Sequence, residues 1–242
     1  WWKYNGTTYP PGTNTLLGAG TITQSATVSG GLFNLNGQTY SNGLLVVGAA
    51  GTLTNGVANA TFNGGLTNAG TVFVSQDTYF NGIVTNTGVF SFRGAVSNNF
   101  VNANQLALTG SGTITGQLAN RNNSQVNINT GTLTLLNAPV QNGTVNVANA
   151  ALNVGVDWTN AGVLTNGATG TILGGTLTNT GTINGSGFIN PQLVNQNRMD
   201  FGGTVSNNFV QTAGSFTLSG NATITGNATI STKEFGLTNH IA

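Results

Sequence analysis

A short phrase returns along the 242-residue chain: an apolar residue, Thr, Asn, a small residue, Gly and then a β-former. It reads LTNAGTV at residues 66–72, VTNTGVF at 84–90, WTNAGVL at 158–164 and LTNTGTI at 177–183. Looser copies begin at Leu118, Gln141, Leu193 and Val210. The Asn slot, or its replacement, falls at Asn68, Asn86, Ala103, Asn120, Asn142, Asn160, Asn179, Asn195 and Thr212, at intervals of 16 to 22 with a mean of 18. A longer self-match supports the repeat. FRGAVSNNFVNANQLALTGSGTITG from Phe92 aligns with FGGTVSNNFVQTAGSFTLSGNATITG from Phe201 across one inserted residue. Self-similarity at a fixed short period is the mark of a solenoid.

Local patterning decides which solenoid. Helical repeats need 30 or more residues and good helix formers, whereas this chain alternates, as in Thr71-Val72-Phe73-Val74 and Thr132-Leu133-Thr134-Leu135. Thr, Val, Ile and Phe suit pleated strands, and Gly and Asn punctuate every few residues with the chemistry of corners. The expectation is an all-β, single-stranded parallel β-helix of about 13 coils of about 18 residues, the length divided by the period, one strand spacing per coil. Its Leu, Val, Ile and Phe point inward. Asn68, Asn86, Asn120, Asn142, Asn160, Asn179 and Asn195 form a structural amide ladder, with Ala103 and Thr212 as vacancies. Gly slots supply left-handed corners, with Asn122 and Asn197 as stand-ins for Gly.

Composition excludes whole classes of function. Charged residues are 4% of the chain, Cys is absent and the formal net charge is +1. Disulfides, thiolate metal sites and Cys nucleophiles are therefore excluded, and nothing can neutralise a run of phosphates, so nucleic acid is not a partner. The hydrophobic share of 38% argues for a folded chain. The longest apolar run, residues 44–50, is far too short to insert in a membrane as a helix. The opening Trp1-Trp2-Lys3 reads as a processed mature protein or an excerpt.

The LTNAGTV and LTNTGTI phrases, their 16-to-22-residue spacing and the scarcity of Cys and charge resemble the parallel β-helix of filamentous-haemagglutinin-type exoproteins and autotransporter passengers. The resemblance runs from about residue 15 to residue 230. It implies a secreted bacterial protein displayed at the cell surface.

The ionisable groups argue against catalysis. Asp157 and Asp200 lie 43 residues apart, about 2.4 coils or roughly 11 Å along the axis and out of phase, a poor match to a paired-carboxylate glycosidase. Asp77 is more than four coils from Asp157. Arg198 and Asp200 read as a surface ion pair. Three Asp in all cannot supply a calcium repeat, and the sole imidazole, His240, has no neighbouring ligand. No cofactor or metal is expected. Thr-x-Thr at Thr21, Thr52, Thr113, Thr132, Thr176 and Thr223 does not recur at one phase, as an ice-binding array requires. The seven Asn-x-Ser/Thr sequons are what an Asn- and Thr-rich chain produces by chance.

The ends differ from the middle. Residues 1–12 form an aromatic, Pro-containing segment, 13–230 the solenoid and 231–242 a C-terminal segment; each end is a cap or a subunit contact. The expected function is a non-enzymatic extracellular structural subunit that polymerises head-to-tail with itself into a filament or surface layer. Trp1, Trp2, Tyr4 and Tyr9 would dock on Ile230 and Phe235 of the next copy, and Lys3 would pair with Glu234. The alternatives are a fragment of a larger secreted adhesin and, more distantly, a polysaccharide-processing β-helix enzyme. A cell-surface or matrix polysaccharide is the second candidate partner.

Overall fold

The computed structural model describes residues 25–40 and 43–231 in full, together with the backbone of the strands Thr8–Tyr9, Thr13–Thr15, Thr21–Ile22 and Phe235–Thr238. The protein is an all-β parallel solenoid without helices, of about 11 coils of about 19 residues among the described residues. That is slightly fewer and longer coils than the phrase spacing suggests. The chain divides into two compact units, Trp1–Ala119 and Asn120–Ala242.

In the first unit each coil lays its strands parallel on those of the coil before. Leu45 pairs with Leu66, Leu66 with Val84 and Val84 with Phe100. These offsets of 21, 18 and 16 residues fit strands of fixed register joined by corners of variable length. Alternation sets the facing. Thr71–Val74 runs half-buried, buried, exposed, buried, so Val72 and Val74 enter the core while Thr71 and Phe73 face out. Stacking of equivalent coils puts like on like, and an aromatic column results. Tyr40 and Phe62 have ring centroids 5.6 Å apart and Phe62 and Phe80 5.0 Å, and Phe90, which belongs to the register column of Val72, adds its ring 5.3 Å from Phe80. Burial of each such ring is worth roughly 1.5–3 kcal/mol.

The second unit repeats the plan with a core that is mostly aliphatic. Trp158, Leu177, Leu193 and Phe209 form one register column. Leu164, Ile183, Met199 and Phe216 form a second, and Ile172, Ile189 and Val205 a third. All of these side chains are buried.

In the complete phrases the glycine has a different job from the expected one, whereas Gly214, in the looser copy from Val210, is left-handed as expected (φ 73°). Gly70, Gly88, Gly162 and Gly181 are not among the residues with positive φ. Their role is close approach: a Cβ on Gly88 would collide with Gly70 O, one on Gly162 with Gly143 O and one on Gly181 with Gly162 O. Left-handed backbone occurs elsewhere, at Gly94 (φ 103°), Gly174 (φ 114°) and Gly185 (φ 125°). Of the expected Asn stand-ins neither qualifies; the left-handed Asn residues are Asn36 (φ 51°) and Asn123 (φ 62°), the latter next to Asn122. The phrase therefore marks where one coil's backbone rests against the next.

Candidate functional site

The chemistry of the interior lies in its amides. On the strands Leu66–Asn68, Val84–Asn86 and Phe100–Asn102, the first and third residues point inward, so an Asn follows each buried Leu, Val or Phe by two. Asn68 Nδ2 donates to Asn86 Oδ1 at 2.8 Å, and Asn86 Nδ2 donates to Asn102 Oδ1 at 2.9 Å. Each Nδ2 also reaches a backbone carbonyl one coil on, Val89 O at 2.9 Å and Gln105 O at 2.8 Å. Each oxygen accepts from its own corner, Gly70 N to Asn68 and Gly88 N to Asn86. All three Asn are fully buried, so every bond replaces one that water would have supplied.

The second unit carries a ladder of the same polarity. Asn120 Nδ2 donates to Gln141 Oε1 at 2.9 Å. Asn160 Nδ2 donates to Asn179 Oδ1 at 2.8 Å, Asn179 Nδ2 to Asn195 Oδ1 at 2.6 Å and Asn195 Nδ2 to Gln211 Oε1 at 2.7 Å. One step fails. Gln141 stands in register with Asn160, but its longer side chain turns Nε2 onto Gly143 O at 2.9 Å. Asn160 Oδ1 is left buried without a partner. Its amide cannot be flipped to cure this, because Nδ2 already serves three oxygens: Asn179 Oδ1, Thr182 O and Gly162 O.

Six of the seven expected ladder residues thus hold the ladder: Asn68, Asn86, Asn120, Asn160, Asn179 and Asn195. Asn142 does not. It is exposed, and Gln141 occupies the slot. Nor are there vacancies at Ala103 and Thr212, because Asn102 and Gln211 fill those coils one residue earlier. Sequence reasoning also missed two buried amides at another corner. Asn55 Nδ2 donates to Ala58 O and Thr78 Oγ1 in the first unit. Asn166 Nδ2 donates to Phe188 O in the second. The signal was present, since both close a Leu-Thr-Asn-Gly phrase, at residues 53–56 and 164–167.

The outer surface carries little charge. Among the described residues the ion pair is Arg93 to Asp77, with Nε 2.7 Å from Oδ1 and both side chains 39% exposed. These residues are 16 apart, one coil, and so stack. The expected Arg198–Asp200 pair is not made; Asp200 lies between Asn184 and Thr217 in its column. No group of three His, Cys, Asp or Glu comes together among the described residues.

Of the residues expected at a subunit contact, Trp1, Trp2, Lys3, Tyr4 and Glu234 lie outside the described residues. Tyr9 lies on a strand paired with Val28, and Phe235 on one paired with Phe216. Ile230 is 40% exposed and stands in register with Gln211, so it occupies the ladder position of its coil. That coil departs from the repeat in this respect.

Stacked parallel coils with an apolar interior and an amide ladder in each unit define a β-solenoid repeat protein. Comparisons with protein-family models, with curated proteins and with solved structures gave no match.

Proposed function

We propose that the chain is a non-enzymatic structural protein of the extracellular surface, in which a solenoid end stacks head-to-tail on a further copy. One observation carries this reading. The last coil with described side chains keeps its backbone register, yet its described inward positions stay open. Ile224 is only half-buried, Ala228 is exposed and Ile230 is 40% exposed. Their register mates Val205, Phe209 and Gln211 are buried. A strand edge backed by open apolar positions is a template for another strand. A contact between unlike ends does not close on itself and builds a filament. The aromatic residues Trp1, Trp2, Tyr4 and Tyr9 are the proposed anchors.

The second reading is a segment of a larger surface adhesin of the haemagglutinin or autotransporter type. The same open coil favours it, since the next coil of a longer chain would also cover Ile224 and Ile230. Sedimentation velocity and electron microscopy of the purified chain over a range of concentrations separate the two. Concentration-dependent fibres that are lost on deletion of residues 1–9, or in Ile230→Asp, support the filament. A chain that stays monomeric throughout leaves the adhesin reading in its place.

A further inference from the structure

The broken rung of the second ladder coincides with a second irregularity. In most coils a large buried apolar residue stands two places before the ladder amide: Leu66, Val84, Phe100, Leu118, Leu177, Leu193 and Phe209. Before Gln141 this place holds Pro139, which is only half-buried, and before Asn160 it holds Trp158, which is 4% exposed. A small half-buried ring is thus followed, one coil on, by the largest side chain to stand two places before a ladder amide. The indole brings a polar atom with it. Trp158 Nε1 has no hydrogen-bond partner, and neither does Asn160 Oδ1.

These two atoms are complementary, one a donor and the other an acceptor. Both side chains project inward from the strand Trp158–Asn160 with one outward residue between them, so their Cα atoms are about 6.6 Å apart. Both atoms lie on the inward side of one short strand, and a buried water characteristically makes about three hydrogen bonds. A buried unpaired donor or acceptor costs about 1–3 kcal/mol, so two at one place make a strong demand for such a ligand.

We propose that Trp158, Asn160 and Gln141 form an internal binding site for a single water molecule. The water accepts from the indole N–H and donates to Asn160 Oδ1. Its second O–H is directed at Gln141 Oε1, a carbonyl oxygen with a lone pair beyond the one that receives Asn120 Nδ2. The water then stands in for the donor that Gln141 Nε2 fails to supply to Asn160 Oδ1, with Gln141 accepting at this rung where the other coils donate.

The test is nuclear magnetic resonance on the intact chain. Trp158→Phe identifies the Trp158 indole proton against those of Trp1 and Trp2. A cross-peak between that proton and a long-lived water is expected in the wild type. It should vanish in Gln141→Asn, whose shorter amide donates directly to Asn160 Oδ1 as the other Asn rungs do. Absence of the cross-peak in the wild type, or its persistence in Gln141→Asn, overturns the proposal. Should Trp158→Phe fail to fold, a crystal structure of the wild type decides: density bonded to both Trp158 Nε1 and Asn160 Oδ1 supports the site, and a direct or dry contact refutes it.

Discussion

Asn86→Asp tests the ladder through its donor, with almost no change of shape. Asn86 is fully buried. Its Nδ2 faces two oxygens, Asn102 Oδ1 at 2.9 Å and Gln105 O at 2.8 Å. Its Oδ1 receives Asn68 Nδ2 at 2.8 Å and Gly88 N at 3.2 Å. A protonated Asp reproduces most of this: the carbonyl oxygen accepts both N–H groups and the O–H donates to one of the two facing oxygens. One bond is lost, costing about 0.5–1.5 kcal/mol. An ionised Asp sets a charged oxygen, out of reach of water, against two other oxygens. The two N–H donors offset part of this cost, but burial and oxygen–oxygen repulsion favour the neutral form. The folded pKa is therefore raised above the unfolded value of about 3.9.

The sign of the pH dependence follows. A raised folded pKa means that the native state holds a proton the unfolded state has already lost. Stability is then fullest below about pH 4 and falls by about 1.4 kcal/mol per pH unit until the folded pKa is reached. Between pH 4 and pH 7 the loss is up to about 4 kcal/mol, against a typical total of about 5–15 kcal/mol. Urea unfolding followed by circular dichroism at several pH values measures this. The control is Asn142→Asp, exposed and off the ladder, which should show no such slope. A flat profile in Asn86→Asp, or an equal slope in the control, would refute the assigned direction of these hydrogen bonds.

Asn160→Leu should cost about 1–3 kcal/mol by removing the donor to Asn179 Oδ1, and Asn179→Leu should cost more, because Asn179 both accepts from Asn160 and donates to Asn195; equal melting temperatures would contradict this order. Gly181→Ala should destabilise by about 1–3 kcal/mol through the clash of its Cβ with Gly162 O. Gly155→Ala, whose Cβ would meet Leu135 O at an ordinary 3.6 Å, should be near neutral in the same denaturation series. The wild type should keep its circular-dichroism spectrum from about pH 3 to pH 9, since so few groups link folding to protonation and a half-exposed pair such as Arg93–Asp77 contributes at most about 1 kcal/mol; a cooperative transition near pH 4 would count against this.

The fold was legible because its two determinants are both sequence-local: a period of 16 to 22 residues and strict alternation within it. Ladder positions were legible wherever the phrase was complete, as at Asn68, Asn86, Asn160 and Asn179. In the decayed copies at Leu118 and Leu193 the Asn still marked the slot, but in three others the reading slipped by one residue. In VNAN and QNGT the adjacent small residue drew the reading to Ala103 and Asn142, and in VQTAG to Thr212. Strand parity gives the right answer, because a one-residue slip in a strand turns a side chain to the other face. Phe100-Val101-Asn102 and Phe209-Val210-Gln211 each place the amide two residues after a buried Phe. Gln was overlooked as a ladder residue, although it carries the same amide on one more methylene. The Gly of the complete phrases was misread for another reason. Close backbone approach and left-handed φ both select glycine, and composition does not tell them apart.

The internal duplication shows which positions the architecture fixes. The segments beginning at Phe92 and Phe201 lie in different units, and each is described on its own coils. Phe92, Val96, Phe100, Asn102 and Leu106 are buried in the first, and Phe201, Val205, Phe209, Gln211 and Phe216 in the second. Each inward position keeps its chemical type, apolar for apolar and amide for amide. The outward positions do not: Arg93 is matched by Gly202, Ala95 by Thr204 and Ala107 by Thr217. Interior identity is demanded by stacking, since each inward side chain touches its equivalents in the coils on either side. An outward residue meets water on its free face and can change without disturbing the stack. One unit could therefore acquire the Arg93–Asp77 pair and the exposed Phe73 and Tyr79 on the same interior plan that the other uses without them.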